Sequence, residues 1–177
     1  MWSLAQRFGV TVSKLQEWNG LRGTLIKVGQ TLYTSPPNRS LASRSGSSTS
    51  YNLLWPVIGT VTSGWGYRTR FEKFHYGLDI AAPTGTPIKA ASAGAVEFAG
   101  WKNGYGYCVF LDHGNGLKTA YGHASKLYVK RGDWVEAGQT IAAVGSTGFS
   151  TGPHVHLEVR INGRLVDPAT VLPKIRR

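Results

Sequence analysis

The chain has 177 residues, 41% of them hydrophobic, with 20 Lys and Arg against 9 Asp and Glu for a formal charge of +11. That length suits one ordinary domain with a buried core plus a small module, and the charge suits a polyanionic partner. The basic residues are scattered, and no helix-turn-helix, zinc-finger or ribonucleoprotein signature accompanies them, so nucleic acid is not the expected partner. No apolar run approaches the ~18 residues of a membrane helix, and no basic-then-apolar leader opens the chain. The lone cysteine, Cys108, sits in the apolar run Tyr107-Cys108-Val109-Phe110-Leu111. It excludes an internal disulfide and reads as a buried, inert thiol.

In chain order, Trp2 to Phe8 predicts a short helix, with Leu4, Ala5 and Phe8 at helical spacing. Gly9 ends it, and Thr11 is placed to cap a second helix through Leu15 and Trp18 that stops near Asn19-Gly20. Residues 25–33 read as extended. Pro36-Pro37 and a Ser-rich run then predict a mobile linker. The expected organisation is a small module at 1–34, a linker at 35–53, a main domain at 54–173 and a basic tail at 174–177.

The main domain reads as strands. Residues 57–61 lead into Gly64-Trp65-Gly66-Tyr67-Arg68, and residues 70–74 form a loop at the mouth of the site. Pro87–Ala91 and Ala95–Ala99 suggest a hairpin about Ala93-Gly94. Residues 108–112 and 117–121 flank the turn signal His113-Gly114-Asn115-Gly116, which places His113 on the surface. Segments 134–138 and 140–144 follow, and a last hairpin joins 155–161 to Leu165-Val166 across Asn162-Gly163. No long helical pattern separates these strands, so a mainly β, mostly antiparallel sheet is expected.

Gly152-Pro153-His154-Val155-His156-Leu157-Glu158-Val159 carries the chemistry. Alternation along a strand puts Val155, Leu157 and Val159 in the core and His154, His156 and Glu158 on the other face. Two imidazoles one pleat apart suit a metal site, a general base, or one of each. Glu158 is read as a bystander in preference to a hydrogen-bond partner of the site. His75 stands four residues before Asp79, about 13 Å if fully extended. The chain must therefore bend near Gly77 for both to reach one ion, leaving Tyr76, Leu78 and Ile80 to pack. His75, Asp79 and one later His make three ligands, the number a catalytic zinc keeps. No His-Glu-x-x-His occurs, which excludes a helical zincin. Trp101, Tyr105, Tyr107 and Tyr76 are read evenly as groove walls or core.

His75-x-x-x-Asp79, Tyr121-Gly122-His123 and His154-x-His156, in that order, resemble the M23 family of zinc metallopeptidases, of the lysostaphin and LytM type. Thr62 to Arg68, Gly77 to Pro83 and Ser146-Thr147-Gly148 match as well, so the likeness runs from about Trp55 to Pro173. It implies an antiparallel sheet or sandwich core of the duplicated-hybrid-motif type. It implies one Zn²⁺ held by His75, Asp79 and His156, with His123 and His154 as the non-ligand catalytic pair. Which of those two is the base stays open. It implies a zinc metalloendopeptidase cutting cross-bridge or stem peptides of peptidoglycan, in the cell wall, periplasm or extracellular space.

Trp2 to Val10, Leu15-x-x-Trp18-Asn19 and Val28-Gly29-Gln30-Thr31-Leu32 resemble a LysM module, a strand-helix-helix-strand fold that binds N-acetylglucosamine chains. Its first strand would precede Trp2, so a truncated, incomplete α+β module is expected, which argues against sugar binding by it. A competing function is a non-enzymatic peptidoglycan-binding regulator or amidase activator. The filled ligand positions favour the enzyme. Nothing in the sequence signals oligomerisation, and a monomer is expected.

Overall fold

The structure, a computed structural model, describes residues 5, 11–19, 32, 51–68 and 73–174. The chain divides into two compact units, Met1–Thr49 and Ser50–Arg177. In the first, helix α1 spans Val12–Asn19. Thr11 caps it as expected: its Oγ1 accepts from Lys14 N at 3.2 Å and its carbonyl from Leu15 N at 3.0 Å. Most of the helix expected at Trp2–Phe8, of the extended segment 25–33 and of the linker lies outside the described residues. Leu53, placed in the linker by sequence, is buried in the core of the second unit.

That unit is built from strands β1 (Thr60–Ser63), β2 (Gly66–Arg68), β3 (Lys73–His75), β4 (Leu78–Ala81), β5 (Pro87–Lys89) and β6 (Gly94–Lys102). They continue as β7 (Gly106–Asp112), β8 (Leu117–Leu127), β9 (Trp134–Val135), β10 (Thr140–Val144), β11 (His154–Ile161) and β12 (Arg164–Val166). The main sheet runs β1-β4-β11-β8-β7-β6-β9, with β10 joining β8 to β5 and β12 on β11; β2 and β3 form a separate ribbon. The pairings among the described strands are antiparallel, as expected. Alternation does what it should on β11. Val155, Leu157 and Val159 are fully buried and meet Leu78, Ile80, Val109 and Leu111 in one core. The β11–β12 turn is Asn162-Gly163 with φ of 50° and 78°, the positive pair that a two-residue hairpin requires.

Not every expectation holds: Lys73 and Phe74, read as part of a loop at 70–74, belong to β3 and pair with β2. The hairpin about Ala93-Gly94 does not form: β5 pairs with β10, while β6 lies between β7 and β9. The segment between them runs through the core, with Ala90 and Ala91 fully buried. Gly94 serves a close approach instead of a turn, since a Cβ there would stand 2.8 Å from His113 Nδ1. Nor is His113 a free surface residue. Its Nδ1–H donates to Ala93 O at 2.9 Å, its Nε2 pairs with Thr119 Oγ1 at 2.7 Å, and burial lowers its pKa.

Tyr121 is fully buried, and its hydroxyl is held by Ala91 N–H and Thr119 Oγ1, each at 2.8 Å. Tyr121→Phe keeps the ring but strands the Ala91 N–H. It is expected to cost about 1–3 kcal/mol, read as a lower denaturant midpoint with unchanged slope.

Candidate metal centre

One rung of the sheet makes the site. On β1, β4, β11 and β8, Ser63 faces Asp79, Asp79 faces His156, and His156 faces Gly122. Residues 77 positions apart thus become direct cross-strand neighbours. His75 arrives from the ribbon, where it pairs with Gly66 before the chain turns at Gly77 into β4. The bend is where expected, and the structure supplies a second reason for glycine. A Cβ on Gly77 would stand 2.6 Å from both His156 Cε1 and the Leu157 carbonyl.

Three atoms converge there. His75 Nε2 lies 3.1 Å from Asp79 Oδ1 and 3.1 Å from His156 Nδ1, and the latter two are 2.8 Å apart. The outer nitrogens are committed elsewhere. His75 Nδ1 lies 2.6 Å from Gly64 O, and a carbonyl only accepts, so Nδ1 carries the proton and Nε2 the lone pair. His156 Nε2 faces Glu158 Oε1 at 3.4 Å and its Nδ1 faces Asp79 Oδ1 at 2.8 Å, so each ring nitrogen has a carboxylate to donate to, and a cation at Nδ1 would take the place of a proton. Two imidazole nitrogens and a carboxylate oxygen therefore crowd one point, an arrangement that suits a cation. Ligand atoms on a four-coordinate Zn²⁺, at ~2.0–2.1 Å from the metal, stand about 3.3 Å apart. The triangle fits that ion.

The electrostatics agree. Burial would raise the Asp79 carboxyl, but the imidazoles of His156 and His75 outweigh it and hold the group well below the usual carboxylate range. Burial would lower His156, yet Asp79 and Glu158 lift it to about 9, so positive charge is favoured at this ring. Arg68 Nη2 donates to the other Asp79 oxygen, Oδ2, at 2.8 Å.

His123 and His154 complete the cleft, a space of about 430 Å³. Their rings lie 4.5 Å apart, and His154 Nε2 is 3.7 Å from Asp79 Oδ1. Each donates Nδ1–H to a carbonyl, His123 to Thr147 at 2.7 Å and His154 to Gly152 at 2.8 Å, so each offers a bare Nε2. Burial, opposed by the Thr147 carbonyl, brings the His123 pKa down to about 4 and keeps the ring neutral at pH 7.

Plain alternation would send His123 into the core beside Tyr121. Instead Gly122 and His123 of β8 oppose the single residue Cys108 of β7, and Tyr121 and Ala124, three apart, both enter the core. This bulge turns His123 out toward the cleft at φ 63°.

Tyr76, expected to pack with Leu78 and Ile80, is about half exposed; it joins Trp65 and Phe74 in an aromatic cluster. Phe74, Tyr76, Tyr105 and Phe149 are the aromatic residues that line the cleft beside the histidines. Trp101 and Tyr107 are exposed and pair edge to face. Cys108 is buried as expected. The sequence reading missed Arg68, the partnership of Tyr105 with Glu158, and the three carbonyls that orient the imidazoles. Arg68 lay in the matching stretch Thr62 to Arg68, Tyr105 among the possible groove walls and Glu158 on the His154–His156 face, but none was read with its partner.

Fold and site together define an antiparallel-sheet protein with a two-histidine, one-carboxylate cluster on the floor of an open cleft. The profile described as Peptidase family M23 matches residues 73–168, and the chain belongs to that family. The LysM domain profile matches residues 1–35. The chain is 43% identical over 125 residues to the DD-carboxypeptidase/endopeptidase Mpg of Neisseria meningitidis serogroup B, covering 68% of this chain and 29% of that one. It is 36% identical over 142 residues to the murein hydrolase activator EnvC of Escherichia coli, covering 79% of this chain and 34% of that one. A zinc containing peptidase from Vibrio cholerae superposes with a TM-score of 0.63 at 31% identity, over 72% of this chain and 41% of that one. The chain thus spans about a third or less of the length of these two curated relatives. They bear the names of an enzyme and of an activator. No helix among the described residues is long and apolar enough to cross a membrane.

Gly77→Ala is expected to push the His156 ring off the cluster. Zn²⁺ affinity, measured by competition with a chromophoric chelator, should fall about tenfold or more.

Proposed function

We propose that this protein is a zinc-dependent endopeptidase that hydrolyses peptide bonds of bacterial peptidoglycan in the cell envelope. The carrying observation is the complete donor triangle of His75 Nε2, Asp79 Oδ1 and His156 Nδ1, whose edges suit Zn²⁺. In this reading residues 54–173, with Leu53 packed into their core, are the peptidase domain, 1–34 a LysM segment, the stretch between them a linker and 174–177 a basic tail.

Zn²⁺ in that triangle would supply a Lewis acid for the substrate carbonyl and bring the pKa of water to about 7. The protein does the rest. Arg68 holds the second oxygen of Asp79, leaving Oδ1 as the ligand atom. His123 and His154 present unprotonated Nε2 atoms beside the cluster, so either can take a proton from the attacking water. Once protonated, either can donate a hydrogen bond to the developing oxyanion or a proton to the leaving amine. The aromatic side chains of Phe74, Tyr76, Tyr105 and Phe149 border the space where a peptide would lie.

The likeness to an activator supports a second reading, a peptidoglycan-binding regulator without hydrolysis. A regulator has no need of a filled donor set or of two further imidazoles aimed at it, and this favours the enzyme.

The metal-loaded protein is expected to carry about one zinc and to clear a peptidoglycan suspension, and chelation should abolish clearing. His123→Ala should keep its zinc but lose hydrolysis by about 10²–10⁴-fold, while His156→Ala should lose both. Clearing by the metal-free protein would contradict the scheme. Metal-loaded protein that binds walls without releasing peptides would support the regulator.

A further inference from the structure

Glu158 is nearly buried, with a side chain 5% exposed, and an uncompensated carboxylate there would be costly. It is compensated in a particular way. Oε1 accepts from the Tyr105 hydroxyl at 2.6 Å and from His156 Nε2–H at 3.4 Å, and Oε2 accepts from Arg160 at 3.3 Å. Arg160 is half in solvent, where such a pair contributes little. The inward bonds are the ones that carry information. They turn His156 so that Nδ1 meets Asp79 and His75. The opposite tautomer would set a lone pair of Nε2 against the carboxylate.

Tyr105 reaches the site twice. Its hydroxyl holds Glu158, and its ring meets the His156 ring edge-on, with centroids 6.0 Å apart. Its backbone carbonyl accepts the N–H of His123 at 2.7 Å. The bulge also closes directly on this ring, because a Cβ on Gly122 would stand 3.4 Å from Tyr105 Cδ1. One residue on the β6–β7 connection therefore touches both the strand that carries the cation ligand and the bulge that carries a proton acceptor.

Resting on the zinc reading above, we propose that Tyr105 and Glu158 are a pair of positioning residues. They hold His156 with Nδ1 toward the metal and lock that ligand to the bulge of His123. The carboxylate fixes the ring, and the tyrosine fixes the carboxylate.

The test uses the full chain, with Zn²⁺ alone as probe and affinity read by chelator competition. Glu158→Ala should weaken binding about 10–100-fold. Glu158→Gln keeps an acceptor at Oε1 and should stay within about threefold of the parent, by the same orienting logic. Wild-type affinity in a folded Glu158→Ala protein would overturn the proposal. If that variant does not fold, Tyr105→Phe retains the ring and removes only the hydroxyl. It should then weaken binding several-fold, and unchanged affinity would overturn the proposal. A second readout needs no variant. Histidine ¹H–¹⁵N spectra of the zinc-loaded protein should show His156 ligated through Nδ1 with a slowly exchanging Nε2–H, and ligation through Nε2 would overturn it. Neither readout depends on hydrolysis. Loss of affinity in Glu158→Ala without any wall cleavage by the parent would sink the enzymatic reading and leave this one standing; cleavage with affinity unmoved would do the reverse.

Discussion

Asp79 and His156 face each other across β4 and β11, and the cleft depends on that register. A slip of one residue would flip each strand's side chains to the opposite face. Val155, Leu157 and Val159 would leave the core, and His156 would enter it. The apolar pattern of β11 and β4 therefore protects the alignment of the polar residues between. Packing free energy is converted into a distance, 2.8 Å between one carboxylate oxygen and one ring nitrogen. Gly77 and Gly122 keep the space around that rung clear, the first against the His156 ring and the second beside the His156 Cβ, where an added carbon would stand 3.5 Å away.

A common rule governs the four imidazoles of the cleft. Each gives its outer N–H to a protein oxygen: Gly64, Thr147 and Gly152 carbonyls for His75, His123 and His154, and the Glu158 carboxylate for His156. The inner nitrogens are aimed inward. The exception in partner type is informative. Against its burial, the carboxylates of Asp79 in front and Glu158 behind draw positive charge to the His156 ring, whereas burial with only a carbonyl behind it holds His123 neutral. Holding His123 outside the ordinary strand conformation costs about 1–3 kcal/mol, which the surrounding bonds to Tyr105 and Thr147 offset.

Much of this was legible in the residues. His154, His156 and the alternating valines and leucine define β11 and its two faces, and the bend at Gly77 follows from the reach of an extended chain. The Asn162-Gly163 turn is a backbone requirement written in two letters. What was not legible has physical causes. Carbonyl groups carry no residue-type signature, so the partners of His75, His123 and His154 could not be read. The bulge at Gly122-His123 breaks alternation without any marker beyond a glycine. The turn signal at Ala93-Gly94 misled because close approach to His113 also demands glycine, and the pairing of β5 was decided by β10, some fifty residues downstream. Tyr76, read evenly as groove wall or core, lines the cleft; periodicity cannot see its contacts with Trp65 and Phe74.

Where a cation binds decides whether His75, Asp79 and His156 form a metal site. A crystal structure of the zinc-soaked protein, with anomalous data collected on both sides of the zinc absorption edge, locates it directly. One peak bonded to His75 Nε2, Asp79 Oδ1 and His156 Nδ1 at ~2.0–2.2 Å is the predicted result. A peak held by other residues, or full metal loading with those three atoms unligated, would contradict it.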